Sequence, residues 1–474
     1  MIDLPPNKTK IVATIGPASQ SQEVMEAMLR AGMNVARLNF SHGNFSGHQQ
    51  VIQTLRAASA ATGRRLAIMA DLPGPKMRVG NFVADKVELD SGQRFTLTTD
   101  DVIGDQHRAS VSFSRLPLAV KPGDALFLND GYIQLEVVEV RGANVDCVVR
   151  VGGELRSRKG LNLPGIDLGI SAFTEHDHGC LAFALENGVD AVSQSFVESA
   201  ADIAAVRQAA RARGHAPFII AKIERSRALD RLDEILVAAD GVMIARGDLG
   251  VEVPIEQIAV IQKHIMRRAN QFAKPVITAT QMLESMTTHR LPTRAEATDV
   301  ANAILDGTDC VMLSGESATG AHPVEAVTML AKIAAVVEPT RHRVRVDEIF
   351  AGIDLRTVVR TEHLVSLSVE TCLQYIEPAA VFVPTVSGNG ARRMAMLHLP
   401  VWTIAVSPLA ETCQQLQFSY GVAPVFEPRN PESWSGYIRE WHRRQGVSGK
   451  LAMLTAGPSA EHPEGNHRLE IIEL

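Results

Sequence analysis

The two apolar runs Phe218–Glu224 (FIIAKIE) and Gly241–Gly247 (GVMIARG) decide the fold. Each run is short and apolar on both faces, as expected of a buried parallel strand, and the spacing between them admits one helix. Six further runs of this kind, interrupted once, are Lys10–Gly16, Val35–Ser41, Leu66–Leu72, Asp190–Phe196, Pro275–Gln281 and Cys310–Glu316. Eight strands alternating with helices predict an α/β protein built on a (β/α)8 TIM barrel. An open, doubly wound sheet is the second interpretation, because periodicity does not reveal closure.

The interruption lies between the third and fourth predicted strands. It contains alternating and β-branched runs, such as Ile133–Val140 and Val145–Val151, separated by glycine-containing turns. The pattern predicts a small antiparallel β-barrel domain over residues 75–163, inserted at the catalytic face of the barrel, where it could act as a lid. The barrel would comprise residues 1–74 and 164–338, and a new series of strands and helices predicts a C-terminal α/β domain over residues 339–474.

Composition limits the partners of the protein. The 474 residues include 47 Lys+Arg and 53 Asp+Glu, a net charge of −6, and 46% are hydrophobic. Nucleic acid and anionic membranes require a basic face, so neither is expected as the main partner. The chain has no apolar run long enough to span a membrane and no leader-like stretch between Met1 and Lys10. Five widely spaced cysteines fit a reducing compartment, and we expect a cytoplasmic protein.

Charged residues fall at the carboxyl ends of the predicted strands, which meet at one rim of a barrel. Glu224 and Asp248 end adjacent strands, and their oxygens suit a hard cation. Mg²⁺ is preferred because the sequence offers no His or Cys cluster for zinc. The competing interpretation is that both carboxylates form salt bridges with Lys222 and Arg246.

Lys222 lies two residues before Glu224, so both side chains leave the strand on the same side. A lysine beside a metal carboxylate, with Arg37 across the rim, suits phosphoryl transfer. A Schiff-base lysine is the rival interpretation, which the two acids and a metal disfavour because amine catalysis needs the neutral form. The turn Arg246–Gly250 (RGDLG) could bind an anion through its backbone N–H groups, and Thr280 could hydrogen-bond the same anion.

An oxygen-rich cluster follows the second and third predicted strands, and its members are Asn39, Ser41 and Asp71. It could hold a monovalent cation or orient Arg37. Lys76 is close in sequence and could supply a positive charge there itself. His42 could act as a base, although a structural role is equally expected of a histidine before a glycine at a strand end.

Several long segments resemble the pyruvate kinase family in order and spacing. They are Val35–Gly43 (VARLNFSHG), Asp71–Arg78 (DLPGPKMR), Lys159–Gly165 (KGLNLPG), Ala221–Glu224 (AKIE), Met243–Pro254 (MIARGDLGVEVP), Ile277–Met286 (ITATQMLESM), Pro292–Glu296 (PTRAE) and Asp299–Gly315 (DVANAILDGTDCVMLSG). The resemblance implies that phosphoenolpyruvate donates its phosphoryl group to ADP, giving pyruvate and ATP in the last step of glycolysis. It further implies Mg²⁺ or Mn²⁺ as cofactor and an allosterically regulated homotetramer.

The resemblance also implies roles for individual residues. Lys222 matches the transition-state stabiliser, and Arg37 and Thr280 are further catalytic candidates, Thr280 as a proton donor through water. The substrate contacts would be Arg37, Lys222, Gly247, Asp248 and Thr280, and the Mg²⁺ ligands Glu224 and Asp248. The nucleotide contacts would be Arg78, Lys159, Asn39 and His42. The potassium site would be Asn39, Ser41, Asp71 and the carbonyl of Leu72. The effector loop would be Thr385, Ser387, Gly388, Asn389, Gly390 and Arg392.

Three departures from the family pattern change these implications. Lys76 stands where many members carry the Glu that accompanies potassium dependence, so we expect activity without K⁺. Asn129 begins the lid turn Asn129-Asp130-Gly131, where two acids are common, which weakens the expected nucleotide contacts. Gly390 lacks a hydroxyl that many members use on a sugar phosphate, and Gly465–Arg468 (GNHR) replaces another family segment. A sugar monophosphate or AMP is therefore expected as effector instead of fructose 1,6-bisphosphate, unless there is no effector.

The sequence leaves two other classes of function open. One is a metal-dependent barrel aldolase or lyase acting on a phosphoenolpyruvate-like or keto-acid substrate, which would not need a lid that closes over a nucleotide. The other is a catalytically inactive metabolite sensor that uses only the C-terminal domain. The presence of Lys222, Glu224 and Asp248 argues against the sensor.

Overall fold

A closed barrel of eight parallel strands forms the centre of the molecule. A computed structural model describes residues 4–341, 361–458 and 465–474 of the chain. The barrel strands, in chain order, are Lys10–Thr14, Met33–Asn39, Ala67–Leu72, Ala191–Gln194, Phe218–Ile223, Gly241–Ala245, Val276–Ala279 and Cys310–Leu313. Each strand pairs with its neighbours along the chain, and the eighth pairs with the first. The predicted (β/α)8 barrel is therefore confirmed, and the open doubly wound sheet is wrong.

The strands are apolar on both faces because both faces are covered. In the first strand, Ile11 and Ala13 belong to the core beneath the surrounding helices, whereas Val12 belongs to the core inside the barrel. Val35 and Met69 fill the same interior from the next two strands. This alternation follows from the two-residue period of a strand, and it leaves only the strand ends free to carry polar chemistry.

Helices surround the barrel and connect its strands. They are Gln22–Ala31, Phe45–Thr62, Glu175–Glu186, Ala200–Arg211, Ser226–Asp230, Leu232–Ala238, Arg246–Glu252, Ile258–Gln271, Arg294–Asp306, Gly315–Ala318 and Pro323–Val337, with 3₁₀ turns at Ile255–Gln257, Glu284–Thr287 and Glu338–Thr340. The helix Arg294–Asp306 begins where the sequence specifies a capping box. Glu296 N donates to Thr293 Oγ1 at 3.2 Å, and Thr293 N donates to Glu296 Oε2 at 2.7 Å.

A second β structure is inserted between the third and fourth barrel strands. Its strands are Lys86–Leu89, Arg94–Thr98, Arg108–Ser110, Ala125–Leu128, Ile133–Arg141, Asn144–Val151, Gly153–Arg156 and Leu161–Asn162, with a short helix at Leu116–Ala119. Six strands form one sheet, mostly antiparallel, and the other two form a ribbon. The incoming chain joins the two edges of the sheet, because Val79 N donates to Lys159 O at 2.9 Å and Gly80 N donates to Ser110 O at 2.8 Å. These bonds close the sheet into the small barrel that the sequence predicts.

A third sheet lies in the C-terminal part of the chain. Its strand order is Val422–Phe426, Thr403–Ser407, Val381–Pro384, Leu451–Ala456 and Arg468–Glu473, with only the last pair antiparallel. The accompanying helices are Thr361–Cys372, Asn389–Ala395, Ala410–Gln415 and Trp434–Gln445, with a 3₁₀ turn at Leu416–Phe418. The sheet contacts the amino-terminal end of the barrel, where Lys10 Nζ donates to Val422 O at 2.7 Å. The exact domain boundaries at residues 74/75, 163/164 and 338/339 stay predictions.

Two expectations from composition concern thiols and membranes. All five cysteines are free; Cys372 is half-buried and the others are buried. Within residues 4–341, 361–458 and 465–474, no helix has the length and apolar character needed to cross a membrane.

Candidate active site

Strand pairing brings the predicted rim residues together. Asn39 pairs with Asp71 across the second and third barrel strands, and Asp71 pairs with Ser193 on the fourth. Lys222 lies near the carboxyl end of the fifth strand. Because the parallel strands of a barrel end at one rim, these side chains share one space.

Lys222 is the buried centre of this group, with 8% of its surface exposed. Its Nζ atom lies 2.9 Å from Glu224 Oε1 and 3.3 Å from Asp71 Oδ1, and it donates a 2.6 Å hydrogen bond to Ser195 Oγ. Burial lowers the pKa of Lys222, but the carboxylates of Asp71 and Glu224 outweigh it and leave the pKa raised. The side chain therefore remains an ammonium ion, which suits stabilisation of an anion and disfavours a Schiff base.

Asp71 connects the two cations of the site. Arg37 Nε donates a 2.9 Å hydrogen bond to Asp71 Oδ2, and Ser193 Oγ donates a 2.7 Å bond to Oδ1. Burial by itself would raise the pKa of Asp71. The positive charges of Lys222 and Arg37 have the larger effect and hold this pKa well below its usual range. A second nitrogen of Arg37 donates to Thr14 Oγ1 at 2.9 Å. An ionised carboxylate thus fixes the directions of Lys222 and Arg37.

Glu224 and Asp248 are the carboxylates predicted to hold a metal ion. Glu224 is 1% exposed, and its Oε2 accepts a 2.7 Å hydrogen bond from the backbone N–H of Phe196. Asp248 lies in the first turn of the helix Arg246–Glu252. Burial raises the pKa of Asp248 to about 6, and the negative charge of Glu224 acts in the same direction. A divalent cation would stabilise both carboxylates as anions, so this pair of oxygen donors fits Mg²⁺ or Mn²⁺.

The competing salt-bridge interpretation applies to one of these carboxylates. Glu224 Oε1 pairs with Lys222 Nζ at 2.9 Å. Arg246 Nη1, however, pairs with Asp299 Oδ2 at 2.7 Å. Asp248 has no ion pair among the residues that the structure describes. Of the two candidate ligands, Asp248 is therefore the one whose carboxylate is not already paired with a cation in the described part of the chain.

Arg246 instead supports the turn that carries Thr280. Thr280 and Gln281 both have positive φ angles, of 68° and 52°, which are strained for residues with side chains. Arg246 Nη2 donates to the carbonyl of Thr280 at 2.8 Å. Thr280 Oγ1 accepts from the backbone N–H of Gly247 at 2.9 Å and donates to Ala279 O at 2.6 Å. The two predicted anion contacts, Gly247 and Thr280, thus lie together and hydrogen-bond each other.

Oxygens of the predicted potassium cluster already accept hydrogen bonds from within the cluster and from Ser195. Asn39 Oδ1 accepts from the backbone N–H of Ser41 at 3.1 Å, and the carbonyl of Leu72 accepts from Ser195 Oγ at 2.8 Å. Lys76 stands near this cluster. The pKa of Lys76 is lowered overall. Burial and the positive charge of Lys222 lower it by more than the negative charges of Asp71 and Asp248 raise it.

The inserted sheet reaches over the rim. Its turn Asn129-Asp130-Gly131 is left-handed, with φ angles of 51°, 56° and 90°. A Cβ atom on Gly131 would lie 3.4 Å from Val251, on the helix that carries Asp248. The negative charge of Asp130 also contributes to the raised pKa of Asp248, after burial and Glu224. The turn therefore rests beside the candidate metal ligands.

The predicted nucleotide contacts lie where the inserted sheet meets the rim. Arg78 Nη1 donates to Arg158 O at 2.9 Å, and the adjacent Lys159 is half-buried. Burial lowers the pKa of His42, and the positive charges of Lys76, Arg78 and Arg37 lower it further. The positive charges of three side chains therefore act on His42, and an anion entering there would meet a local excess of positive charge.

The predicted effector residues form one turn at the start of the helix Asn389–Ala395. Gly388 N donates to Thr385 Oγ1 at 2.9 Å, and Gly388 has a φ of 80°. Arg392 donates to Ser387 O at 3.0 Å and to Asn389 Oδ1 at 3.2 Å. A Cβ atom on Gly390 would lie 3.1 Å from a methyl group of Val383, so a side chain there would be crowded.

Four contributors to the site were missed from the sequence. They are Thr14, Ser193, Ser195 and the backbone N–H of Phe196. The two serines stand near the carboxyl end of the fourth strand, at the same rim as the predicted residues, and this position was the signal that could have identified them. Nothing in the local sequence marks the N–H of Phe196, because its role depends on Glu224 from another strand.

A closed (β/α)8 barrel with a buried lysine, an arginine and two carboxylates on its rim, beside an inserted β sheet, defines a class of enzymes that handle phosphorylated substrates. The family model "Pyruvate kinase, barrel domain" matches residues 6–327. This chain belongs to the pyruvate kinase family, and it is a phosphotransferase. The resemblance stated from the sequence motifs is thereby confirmed.

Individual relatives agree with this assignment. The pyruvate kinase of Thermococcus litoralis is 48% identical over 430 residues, which cover 90% of each chain. That of Mycobacterium tuberculosis is 39% identical over 432 residues, covering 91% of this chain and 90% of the relative. A crystal structure of a pyruvate kinase from Cryptosporidium parvum superposes with a TM-score of 0.91 at 33% identity, and the match covers 99% of this chain and 96% of that one.

Proposed function

We propose that the enzyme transfers the phosphoryl group of phosphoenolpyruvate to ADP, giving pyruvate and ATP. The observation that carries the proposal is the pair of cations fixed by one carboxylate: Lys222 Nζ lies 3.3 Å from Asp71 Oδ1, and Arg37 Nε lies 2.9 Å from Asp71 Oδ2. A phosphoryl group in transfer spreads negative charge over its equatorial oxygens. Preoriented cations stabilise that charge without reorganising during the reaction.

Glu224 and Asp248 would hold the divalent cation, which supplies charge neutralisation and orientation of the substrate oxygens when bound. The substrate carboxylate would take over the backbone N–H of Gly247, now bonded to Thr280 Oγ1 at 2.9 Å. Thr280 Oγ1 would then be free to accept a hydrogen bond from a water molecule, and its O–H, now donated to Ala279 O at 2.6 Å, would turn to that water when it donates. We propose that this hydroxyl, through water, delivers the proton that converts the enolate to pyruvate.

The inserted domain, residues 75–163, would close over the nucleotide. We assign the nucleotide contacts to Arg78, Lys159, Asn39 and His42, supported by the cluster of positive charges around His42. Closure would exclude water, which could otherwise accept the phosphoryl group in place of ADP. A Cβ atom at Gly131 would lie 3.4 Å from Val251, and this close approach supports a lid that rests on the helix of Asp248.

The remaining assignments concern ions, effectors and assembly. We propose that the Lys76 ammonium replaces a potassium ion at Asn39, Ser41, Asp71 and Leu72. A sugar monophosphate or AMP would bind the turn Thr385–Gly390, where Arg392 already holds the loop. The enzyme would work as an allosteric homotetramer in cytoplasmic glycolysis, as its family membership implies.

A coupled assay tests the proposed reaction. Purified protein is supplied with phosphoenolpyruvate and Mg²⁺, with and without ADP, and with candidate sugar phosphates or AMP. Pyruvate release that requires ADP and produces ATP supports the proposal. Pyruvate release without ADP would indicate the aldolase or lyase class, and the absence of turnover would indicate a metabolite sensor.

A further inference from the structure

Arg225 occupies an unusual position between the barrel and the inserted sheet. It directly follows Glu224, yet its side chain is 2% exposed and points away from the reaction space. Its Nη2 atom donates hydrogen bonds to Ile166 O at 2.7 Å and to Leu163 O at 3.3 Å. Residues 163–166 are the connection by which the chain returns from the inserted sheet to the barrel. One guanidinium group therefore holds this return connection.

The same guanidinium forms ion pairs with two carboxylates of the barrel. Arg225 Nε lies 3.2 Å from Glu198 Oε1, and Arg225 Nη1 lies 3.5 Å from Glu252 Oε1. Neither Arg225 Nε nor Glu252 Oε1 makes a hydrogen bond with the residues that the structure describes. The Glu252 side chain is 1% exposed, and its Oε2 atom accepts hydrogen bonds from the backbone N–H and the hydroxyl of Ser226, both at 3.3 Å. Burial raises the pKa of the Glu252 carboxyl, and Gly165, in the return connection, lies close enough to Glu252 to help lower it.

Glu252 relates this cluster to the candidate metal site. It ends the helix Arg246–Glu252, whose first turn carries Asp248. A Cβ atom added to Gly131, in the lid turn, would lie 3.4 Å from Val251, the residue before Glu252. The return connection is therefore linked to one short helix through Arg225 and Glu252. The lid turn lies beside the same helix at Val251, and Asp248 is part of its first turn. Arg225 also adjoins Glu224, the second candidate ligand.

We propose that Arg225 is a positioning residue, which fixes the return connection of the lid relative to Glu224 and Asp248 and so sets where the closed lid meets the nucleotide. The planar guanidinium suits this role because one of its nitrogens donates to two carbonyls while the other two lie within ion-pair distance of two carboxylates, a spread that an ammonium cannot match. The inference rests on the proposed function, in which the inserted domain closes over ADP. Misplacing a closing element by a small distance lowers the rate of transfer strongly.

The test compares Arg225→Met and Arg225→Lys with Arg56→Met. Arg56 is a matched control because it also binds a carboxylate and carbonyls, donating to Asp190 Oδ2 at 2.9 Å and Gly188 O at 2.8 Å, distant from the lid. Three quantities are measured: the KM for ADP, the Kd for phosphoenolpyruvate with Mg²⁺ by calorimetry, and amide hydrogen exchange of residues 163–166. If Arg225→Met does not fold, the double variant Arg225→Met, Glu252→Gln avoids an unpaired buried carboxylate.

We expect Arg225→Met to raise the KM for ADP roughly tenfold and to accelerate exchange at 163–166, with the phosphoenolpyruvate Kd within about twofold of wild type. Arg225→Lys is expected to be intermediate, and Arg56→Met to match wild type in all three measurements. Unchanged exchange and an unchanged KM for ADP would overturn the inference. Equal losses of ADP and phosphoenolpyruvate affinity would also overturn it, since they indicate general disruption. If the wild-type protein is inactive, the proposed function is refuted. The effect of Arg225 on the return connection is still tested in that case, because amide hydrogen exchange at residues 163–166 does not require activity.

Discussion

Arg37 Nε donates a 2.9 Å hydrogen bond to Asp71 Oδ2, and this contact joins the second barrel strand to the third at the rim. The other oxygen of Asp71 lies 3.3 Å from Lys222 Nζ. A single carboxylate therefore holds two cations that would otherwise repel each other across a buried space. The site has a defined distribution of charge before any substrate arrives, which is the condition for electrostatic catalysis.

Replacing Lys222 by Met should lower kcat far more than it raises the KM for phosphoenolpyruvate. The ammonium acts mainly on charge that develops during transfer, so its loss is expected to cost roughly 10²–10³-fold in kcat. Steady-state kinetics with Mg²⁺ and ADP measure both constants. Lys263→Met is the control, because Lys263 pairs with Asp306 on the outside of the barrel. A Lys222→Met enzyme with nearly normal kcat would contradict the assigned role.

Replacing Ser195 by Ala should weaken catalysis without removing any charge. Ser195 Oγ accepts from Lys222 Nζ at 2.6 Å and donates to Leu72 O at 2.8 Å, so it restricts the direction of the lysine. A hydrogen bond to a charged group contributes roughly 1.5–3 kcal/mol, which corresponds to a decrease in kcat of about 10- to 100-fold if the bond acts fully in the transition state. Ser59→Ala, which removes a 2.7 Å bond to Arg64 O, provides the comparison. Equal kcat values for the two variants would show that Ser195 does not position Lys222.

Activity should not depend on potassium, and Lys76 should be the reason. Potassium chloride is expected to change kcat by less than about twofold against a sodium or tetramethylammonium salt of equal ionic strength. Lys76→Glu removes the local cation and is expected to create activation by potassium. Strong activation of the wild-type enzyme by K⁺ would refute the prediction, as would a Lys76→Glu enzyme that is equally active with and without the ion.

The barrel could be predicted from the sequence because its signal is local. Each strand is apolar on both faces, as Ile11 and Val12 illustrate, and each is followed by polar residues at the rim. Lys222, Glu224 and Asp248 were predicted for the same reason. The pairing of Asp71 with two cations could not be predicted with certainty, since Asp71 could equally have bound a monovalent cation.

Contacts between distant segments had no comparable signal. Residue type alone gives no reason to single out Ser193 within its buried strand. Its role follows from the strand register, which places it opposite Asp71. Arg225 looks like a surface arginine after a strand end, and its partners Leu163 and Ile166 offer only backbone carbonyls, which carry no sequence signature. Closure of the inserted sheet likewise depends on the backbone of Val79.

The stability of the protein should decrease between about pH 4 and pH 7 because of Asp309, at the contact between the barrel and the C-terminal sheet. Asp309 accepts hydrogen bonds from the backbone N–H groups of Tyr420 at 2.8 Å and Val276 at 3.0 Å, yet burial raises its pKa to about 7. The folded protein then binds a proton that the unfolded chain, with an ordinary Asp pKa of about 3.9, has already lost. The free energy of unfolding therefore falls as the pH rises through this interval and levels off above pH 7.

Asp309→Asn should remove this contribution to the pH dependence. We expect the decrease in unfolding free energy from about pH 4 to pH 7 to become smaller by roughly 1–4 kcal/mol, measured by urea denaturation at each pH. The slope of the unfolding free energy against pH is the quantity that identifies Asp309. The amide of the variant also disturbs one of the two hydrogen bonds from the backbone, which lowers the unfolding free energy at every pH and leaves the slope as the specific effect. Asp306→Asn, at the pair that Lys263 forms on the barrel surface, controls for loss of a carboxylate. Parallel pH profiles for wild type and Asp309→Asn would exclude Asp309 as the titrating group.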